Sequence, residues 1–196
     1  PPEAKRRNVA SIHPTAAVDP RSEIAADVSI GPFCVVEAGA VIEEGCQLAS
    51  HVVIKTGPWL GKNNSVSEAA ILGGRPQHLR AGPKVGKLRI GENNSIREHV
   101  TIHCGLGEED STVVGDHNLI MVNAHVAHDC TIGNQVVMAN AATLAGHVRI
   151  EDYAVIGGLV AIHQYIRIGV HSFIGGKSGL RMDMPPYMLA FGAPAI

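Results

Sequence analysis

A parallel β-helix wound from hexapeptide repeats, three hexads to a coil, is the all-β fold class that this 196-residue sequence predicts. Three observations lead to it. Aliphatic residues recur at every sixth position, glycine often follows them directly, and a small or β-branched residue sits four positions on. A period of six matches neither the 3.6-residue α-helix nor continuous strand alternation. It matches strands of four or five residues parted by tight turns, with the first and fifth residues of each hexad pointing inward. Three hexads close one triangular coil, and successive coils pair in parallel about 4.8 Å apart. Each coil buries its faces only against its neighbours, so stability accumulates along the stack.

The elements follow in chain order. Residues 1–11 carry no periodicity and read as an N-terminal extension. A β-helical domain then covers residues 12–190. Its register opens at Ile12 and runs through Val18, Ile24, Ile30, Val36, Ile42, Leu48, Ile54, Leu60 and Val66. Residues 73–89, rich in glycine, proline and basic side chains, break the period and are expected to leave the coil as a loop. The register resumes at Ile90, Ile96 and Ile102, and a polar, acidic stretch at residues 105–112 reads as a second ejected loop. A third run extends from Val114 to Leu180, after which the period fades. Residues 191–196 begin a C-terminal region. Glycines that follow the aliphatics (Gly31, Gly61, Gly91, Gly115) and Asn64, Asn94 and Asn118 are expected to supply the positive φ angles of the turns. Val28, Cys34, Ala40, Val52, Ala124, Cys130, Ala142 and Ala154 occupy the second inward position.

Composition narrows the function. A net charge of −2 without a basic block argues against nucleic-acid or anionic-membrane partners. Apolar runs such as 155–162 are broken by glycine and fall well short of the roughly 20 residues of a membrane-spanning helix. No stable membrane insertion is therefore expected. Aromatic residues make up only 4% of the chain, which suits a narrow interior of Val, Ile, Leu and Ala. The four cysteines have no paired short spacing. Cys34, Cys46 and Cys130 fall in the inward phase and read as buried thiols in a reducing compartment.

The eleven histidines carry the chemistry. Residues 18 apart stack one coil above another, so His128 lies beneath Gly146 and Gly146 beneath Gln164. Asp129 lies beneath His147 in the adjoining column. His125, His128, Asp129, Gly146, His147, His163 and Gln164 thus gather on one face and its corner. His13, His51, His117 and His171 point outward with no evident partner. His99 and His103 sit one coil below the cluster, within reach of a groove. Imidazole titrates near pH 6.5 and takes a proton readily at neutral pH. Asp129 fits as the group that fixes its tautomer, provided the chain turns a corner there. Gly146 has no side chain to block approach, and its N–H suits a tetrahedral oxyanion.

These residues also carry a resemblance. Residues 123–130 (Asn-Ala-His-Val-Ala-His-Asp-Cys), 144–147 (Leu-Ala-Gly-His) and 161–164 (Ala-Ile-His-Gln) resemble the acyl-[acyl-carrier-protein]–UDP-N-acetylglucosamine O-acyltransferases, which open lipid A synthesis. Residues 96–103 (Ile-Arg-Glu-His-Val-Thr-Ile-His) and 183–187 (Asp-Met-Pro-Pro-Tyr) are similar to the same family. The likeness runs from about Ile12 to Ala190. It implies a left-handed coil, an exception to the right-handed crossover rule. It also implies transfer of a 3-hydroxyacyl chain from acyl carrier protein to the sugar 3-hydroxyl, with no cofactor and no metal beyond the thioester co-substrate. His128 matches the general base, Asp129 its carboxylate neighbour, and Gly146 the backbone oxyanion donor. His125, His147, His163 and Gln164 match residues lining the sugar, phosphate and acyl sites. Arg80 falls where the family has a basic substrate-binding residue. Gly176 matches a position where side-chain bulk limits acyl length, and a glycine there implies a long chain. The family is a cytoplasmic homotrimer of Gram-negative-type bacteria. Its active sites lie between neighbouring β-helices, so a partner is expected to wall a cluster that otherwise lies on a flat face.

The sequence departs from the family in three places. His78 stands where an acidic residue is usual, two positions before Arg80. Pro194 stands where some members have a histidine closing the acyl groove. The family carries a helical C-terminal domain after the coil, and this sequence ends without it. Three alternatives stay open at this level: a nucleotide-sugar N-acyltransferase, a non-catalytic nucleotide-sugar-binding scaffold, and a zinc hydratase of the carbonic anhydrase type using His125 and His128.

Overall fold

The computed structural model describes residues 10–193 and 195. Most of the N-terminal extension and Pro194 lie outside them. The described chain is a left-handed parallel β-helix of about ten coils. Its strands form three parallel sheets of ten, nine and eight strands, each strand pairing with the equivalent strands of the coils below and above. Most strands are two residues long, shorter than the four or five expected from the repeat. The remaining residues of each hexad are spent on the corner, where backbone hydrogen bonds run to the next coil in place of strand pairing.

Register confirms the stacking rule. His125 pairs with Thr143, Thr143 with Ala161, and Ala161 with Gly179, each 18 residues on. Across the first loop the offset grows to 30, as in Ile71 opposite Thr101, and across the second to 24, as in Thr101 opposite His125. Both additions are whole hexads, so the inward phase survives each loop. The core is one column of Ile, Leu, Val and Ala, with Leu60, Ile90, Ile102, Ile120 and Met138 fully enclosed. All four cysteines are buried free thiols, and burial raises the Cys130 pKa to about 12, leaving it inert.

The turn chemistry differs from the sequence expectation. Positive φ falls one residue earlier than expected, on Asn63, Asn93 and His117, and at other corners on His99, Asn123, Asp129 and His147. Asn64, Asn94 and Asn118 are instead buried rungs of an internal amide ladder. The Asn94 N–H donates to the Asn64 Oδ1 at 2.9 Å and the Asn118 N–H to the Asn94 Oδ1 at 2.8 Å. A buried amide that bonds along the stack satisfies backbone groups that no strand pairing reaches. The glycines after the aliphatics are needed for closeness, not for φ. A Cβ on Gly115 would lie 2.6 Å from the Gly133 carbonyl oxygen of the next coil. His171 also has partners that the sequence did not reveal, since its ring stacks between Tyr153 and Tyr187.

Candidate active site

The two ejected loops build the site from opposite sides. The first leaves the coil at a bulge after Leu72, where Gly73 takes a φ of 87°. It is tied by Arg75, which donates to the carbonyls of Gly82 and Pro83, and it returns Gln77 and His78 over the His128 face. His78 accepts the Arg80 N–H at Nδ1 (3.1 Å), and its ring meets His128 edge-on with centroids 5.3 Å apart. The second loop presents the Leu106 N–H to Asp129 Oδ1 at 3.0 Å. Lys84 and Glu108 join the loops in an exposed ion pair.

Asp129 sits at a corner with a φ of 60°, and this is what lets two adjacent side chains meet. Its Oδ2 lies 2.7 Å from His128 Nδ1, and its backbone N–H donates to Thr112 Oγ1 at 2.9 Å. His128 is 7% exposed and the Asp129 side chain 8%. A carboxylate with this geometry draws the ring proton to Nδ1 and leaves Nε2 as an acceptor. Directly above lies Gly146, where an added Cβ would be 2.7 Å from His128 Nε2. The Gly146 N–H donates no hydrogen bond among the described residues. His147 crosses His128 at a centroid distance of 5.1 Å, brings Nε2 to 3.5 Å from Asp129 Oδ2, and stacks on Tyr165 at 4.5 Å. His128, Asp129 and His147 each offer a ligand atom within 4.8 Å of the others.

Two further imidazoles pack nearby, His125 in the same coil as His128 and His103 one coil below. His125 Nδ1 meets Thr101 Oγ1 at 2.7 Å, and its ring stands edge-on to buried His103 at 4.8 Å. Burial, with the neighbouring His125 and His128 adding to it, lowers the His103 pKa to about 4, and burial also lowers that of His125. Both rings are therefore neutral at pH 7.

From this cluster a groove of about 840 Å³ climbs the stack. Its walls include His78, His125, His128, Gly146, His163 and Gln164 of the sequence-derived set, and Gln77 beside them. Its floor rises through Thr143, Ala161 and Gly179, and Arg181 and Ala193 stand at the far end. The flat face expected from the sequence is thus corrected: the loop and the last coil give the cluster walls within one chain. Asp129 and His147 lie behind the groove, on the far edge of the His128 ring. Arg80 is exposed in the loop outside the groove wall, and Gly176 is exposed on another part of the coil. Thr143, Gly179 and Arg181 went unnoticed in the sequence, although the 18-residue rule leads to the first two from His125 and to the third from His163.

The model of the bacterial transferase hexapeptide family (six repeats) matches residues 21–56 and 111–146. LpxA from Acinetobacter baumannii is similar in structure, with a TM-score of 0.91 and 42% identity over 94% of this chain and 72% of that one. The UDP-N-acetylglucosamine acyltransferase of Francisella novicida is 40% identical with a TM-score of 0.91, over 94% of this chain and 67% of its own. The UDP-N-acetylglucosamine O-acyltransferase of Moraxella catarrhalis is 40% identical with a TM-score of 0.91, over 94% and 72%. The chain belongs to the UDP-N-acetylglucosamine acyltransferase family. In this acyltransferase the loop position occupied by His78 therefore places an imidazole, not a carboxylate, against the His128 ring. Among the described residues, the groove wall contains no Asp or Glu. It is lined by four imidazoles and the Arg181 guanidinium, a setting that suits an anionic ligand.

Proposed function

We propose that this chain transfers a 3-hydroxyacyl group from an acyl carrier protein thioester to the 3-hydroxyl of UDP-N-acetylglucosamine, the opening step of lipid A synthesis. The observation that carries the assignment is His128, held by Asp129 at 2.7 Å beneath a glycine that leaves its Nε2 edge open. The sugar oxygen attacks the thioester carbonyl carbon as its proton passes to His128 Nε2. The tetrahedral oxyanion takes the Gly146 N–H, a donor worth about 2.7–4 kcal/mol in such sites. Collapse breaks the carbon–sulfur bond, and the leaving thiolate recovers the proton from His128. Asp129 keeps the ring in the productive tautomer throughout and stabilises the imidazolium.

His78, His125, His163 and Gln164 contact the nucleotide sugar and the acyl chain along the groove, with His147 behind them supporting Asp129. Arg80 and Gly176, away from this chain's groove, act at a subunit boundary of a homotrimer, where Gly176 bears on acyl length. No cofactor enters the reaction. Among the described residues no helix is long and apolar enough to cross a membrane.

The test is acylation of UDP-N-acetylglucosamine with 3-hydroxyacyl carrier proteins of several lengths, comparing wild type with His128→Ala. Product from wild type and a rate lower by about 10² or more in the variant are expected. Absence of product from wild type, or an unaffected variant, would overturn the assignment.

A further inference from the structure

Two imidazole nitrogens converge on a single carboxylate oxygen behind the groove. His128 Nδ1 lies 2.7 Å and His147 Nε2 3.5 Å from Asp129 Oδ2. Four-coordinate zinc binds nitrogen and oxygen at about 2.0–2.2 Å, which separates neighbouring ligand atoms by about 3.3 Å. The His147 contact already has that spacing, the His128 contact needs to open by about half an ångström, and the two imidazole nitrogens lie within 4.8 Å of each other. The surroundings are those of a supported ligand set. Asp129 Oδ1 is held by the Leu106 N–H, its backbone by Thr112, and His147 by the face of Tyr165. The His147 side chain is 33% exposed, against 9% for His128, so the set is most open to solvent on the His147 side.

We propose that His128, Asp129 and His147 form a binding site for a divalent cation of the zinc class, and that its occupation arrests acyl transfer. Imidazole with carboxylate selects zinc, cobalt or nickel over magnesium or calcium, which favour all-oxygen shells. Water completes the fourth position. The arrest follows from ring chemistry. A neutral imidazole that gives its Nδ1 lone pair to a metal carries its one proton on Nε2. That nitrogen then has no lone pair for the sugar hydroxyl, and Asp129 is drawn from the ring to the ion. The binding stands on geometry alone; the arrest rests on the acyltransferase assignment.

Cobalt(II) added to the purified, metal-free protein is the probe, since four-coordinate cobalt shows intense visible bands that the hydrated ion lacks. The expected result is stoichiometric growth of those bands, displaced by zinc. Asp129→Asn and His147→Ala should each weaken cobalt binding by at least 10- to 100-fold, since even second-shell changes cost that much. His163→Ala, which alters a groove imidazole outside the set, should bind as wild type does. Should either ligand variant fold poorly, the unaltered protein still decides the matter. Zinc should slow diethylpyrocarbonate labelling of His128 and His147, mapped by mass spectrometry, but not of His163. Binding untouched by both ligand variants, or equal zinc protection of all three histidines, overturns the site. Cobalt bands with no zinc inhibition of turnover would retain the site and overturn the arrest.

Discussion

A single methyl group on Gly146 tests the geometry of the base most directly. The Gly146→Ala Cβ would lie 2.5 Å from His128 Cε1 and 2.7 Å from Nε2. Ordinary carbon contacts begin near 3.4 Å, so the ring has to give by about 0.9 Å. It cannot do so freely, because Nδ1 is bonded to Asp129 and the ring is wedged between His78 and His147. The backbone is no obstacle to alanine, since Gly146 is not among the positive-φ glycines. A displacement of about 1 Å in a reacting group costs on the order of 10²-fold in rate. Initial rates of acyl transfer should therefore fall about 100-fold in kcat, with the thermal midpoint lowered by only a few degrees. The double variant Gly146→Ala/His128→Ala should be no slower than His128→Ala alone, because both changes act on one ring. A kcat within threefold of wild type, or full additivity in the double variant, would refute the placement of His128 beneath Gly146.

Three further outcomes follow from the same geometry. Tyr165→Ala removes the face on which His147 stacks and should lower kcat by about 2- to 10-fold, the worth of an aromatic pair, while Tyr165→Phe restores it. Equal rates in both variants would show that the stack positions nothing. Gly115→Ala forces a Cβ to 2.6 Å from the Gly133 carbonyl and should destabilise the coil by about 1–3 kcal/mol in denaturant titration. Finally, His103 is neutral when folded with its pKa lowered to about 4, whereas the unfolded value is 6.5. Between those values the unfolded chain binds more protons, so stability contributed above pH 6.5 is lost as pH falls towards 4. His103→Phe should flatten that limb in pH-dependent melting, and an unchanged limb would assign acid sensitivity elsewhere.

The coil was legible because its cause is local and repeated. Outside the two loops, every sixth residue from Ile30 to Leu180 faces one interior, and the loops return the chain in phase. The stacking rule carried this far enough to place His128 under Gly146 and Asp129 near His147 before any coordinates. It was less informative about turns. Asn64, Asn94 and Asn118 were expected to bend the chain because asparagine tolerates positive φ, but their neighbours bend it and they ladder inside. Composition does not distinguish an amide used for its backbone from one used for its hydrogen bonds. Nor did periodicity describe the groove. Gln77 and His78 lie in a segment without phase, and their approach to His128 depends on how a loop folds back. Ala193 lies where the repeat fades, so nothing in the period linked it to His128, whereas Arg181 follows His163 by one 18-residue coil.

Because the groove floor is made of equivalent residues on successive coils, its length is counted in whole turns. Thr143, Ala161 and Gly179 are three rungs of one ladder. Removing or duplicating an 18-residue coil between His128 and Arg181 would shorten or extend the channel by one strand spacing, about 4.8 Å, without altering either end. A ligand that runs along the floor would thus be measured on a scale graduated by the backbone. Side chains at positions such as Gly179 provide only the finer divisions between marks.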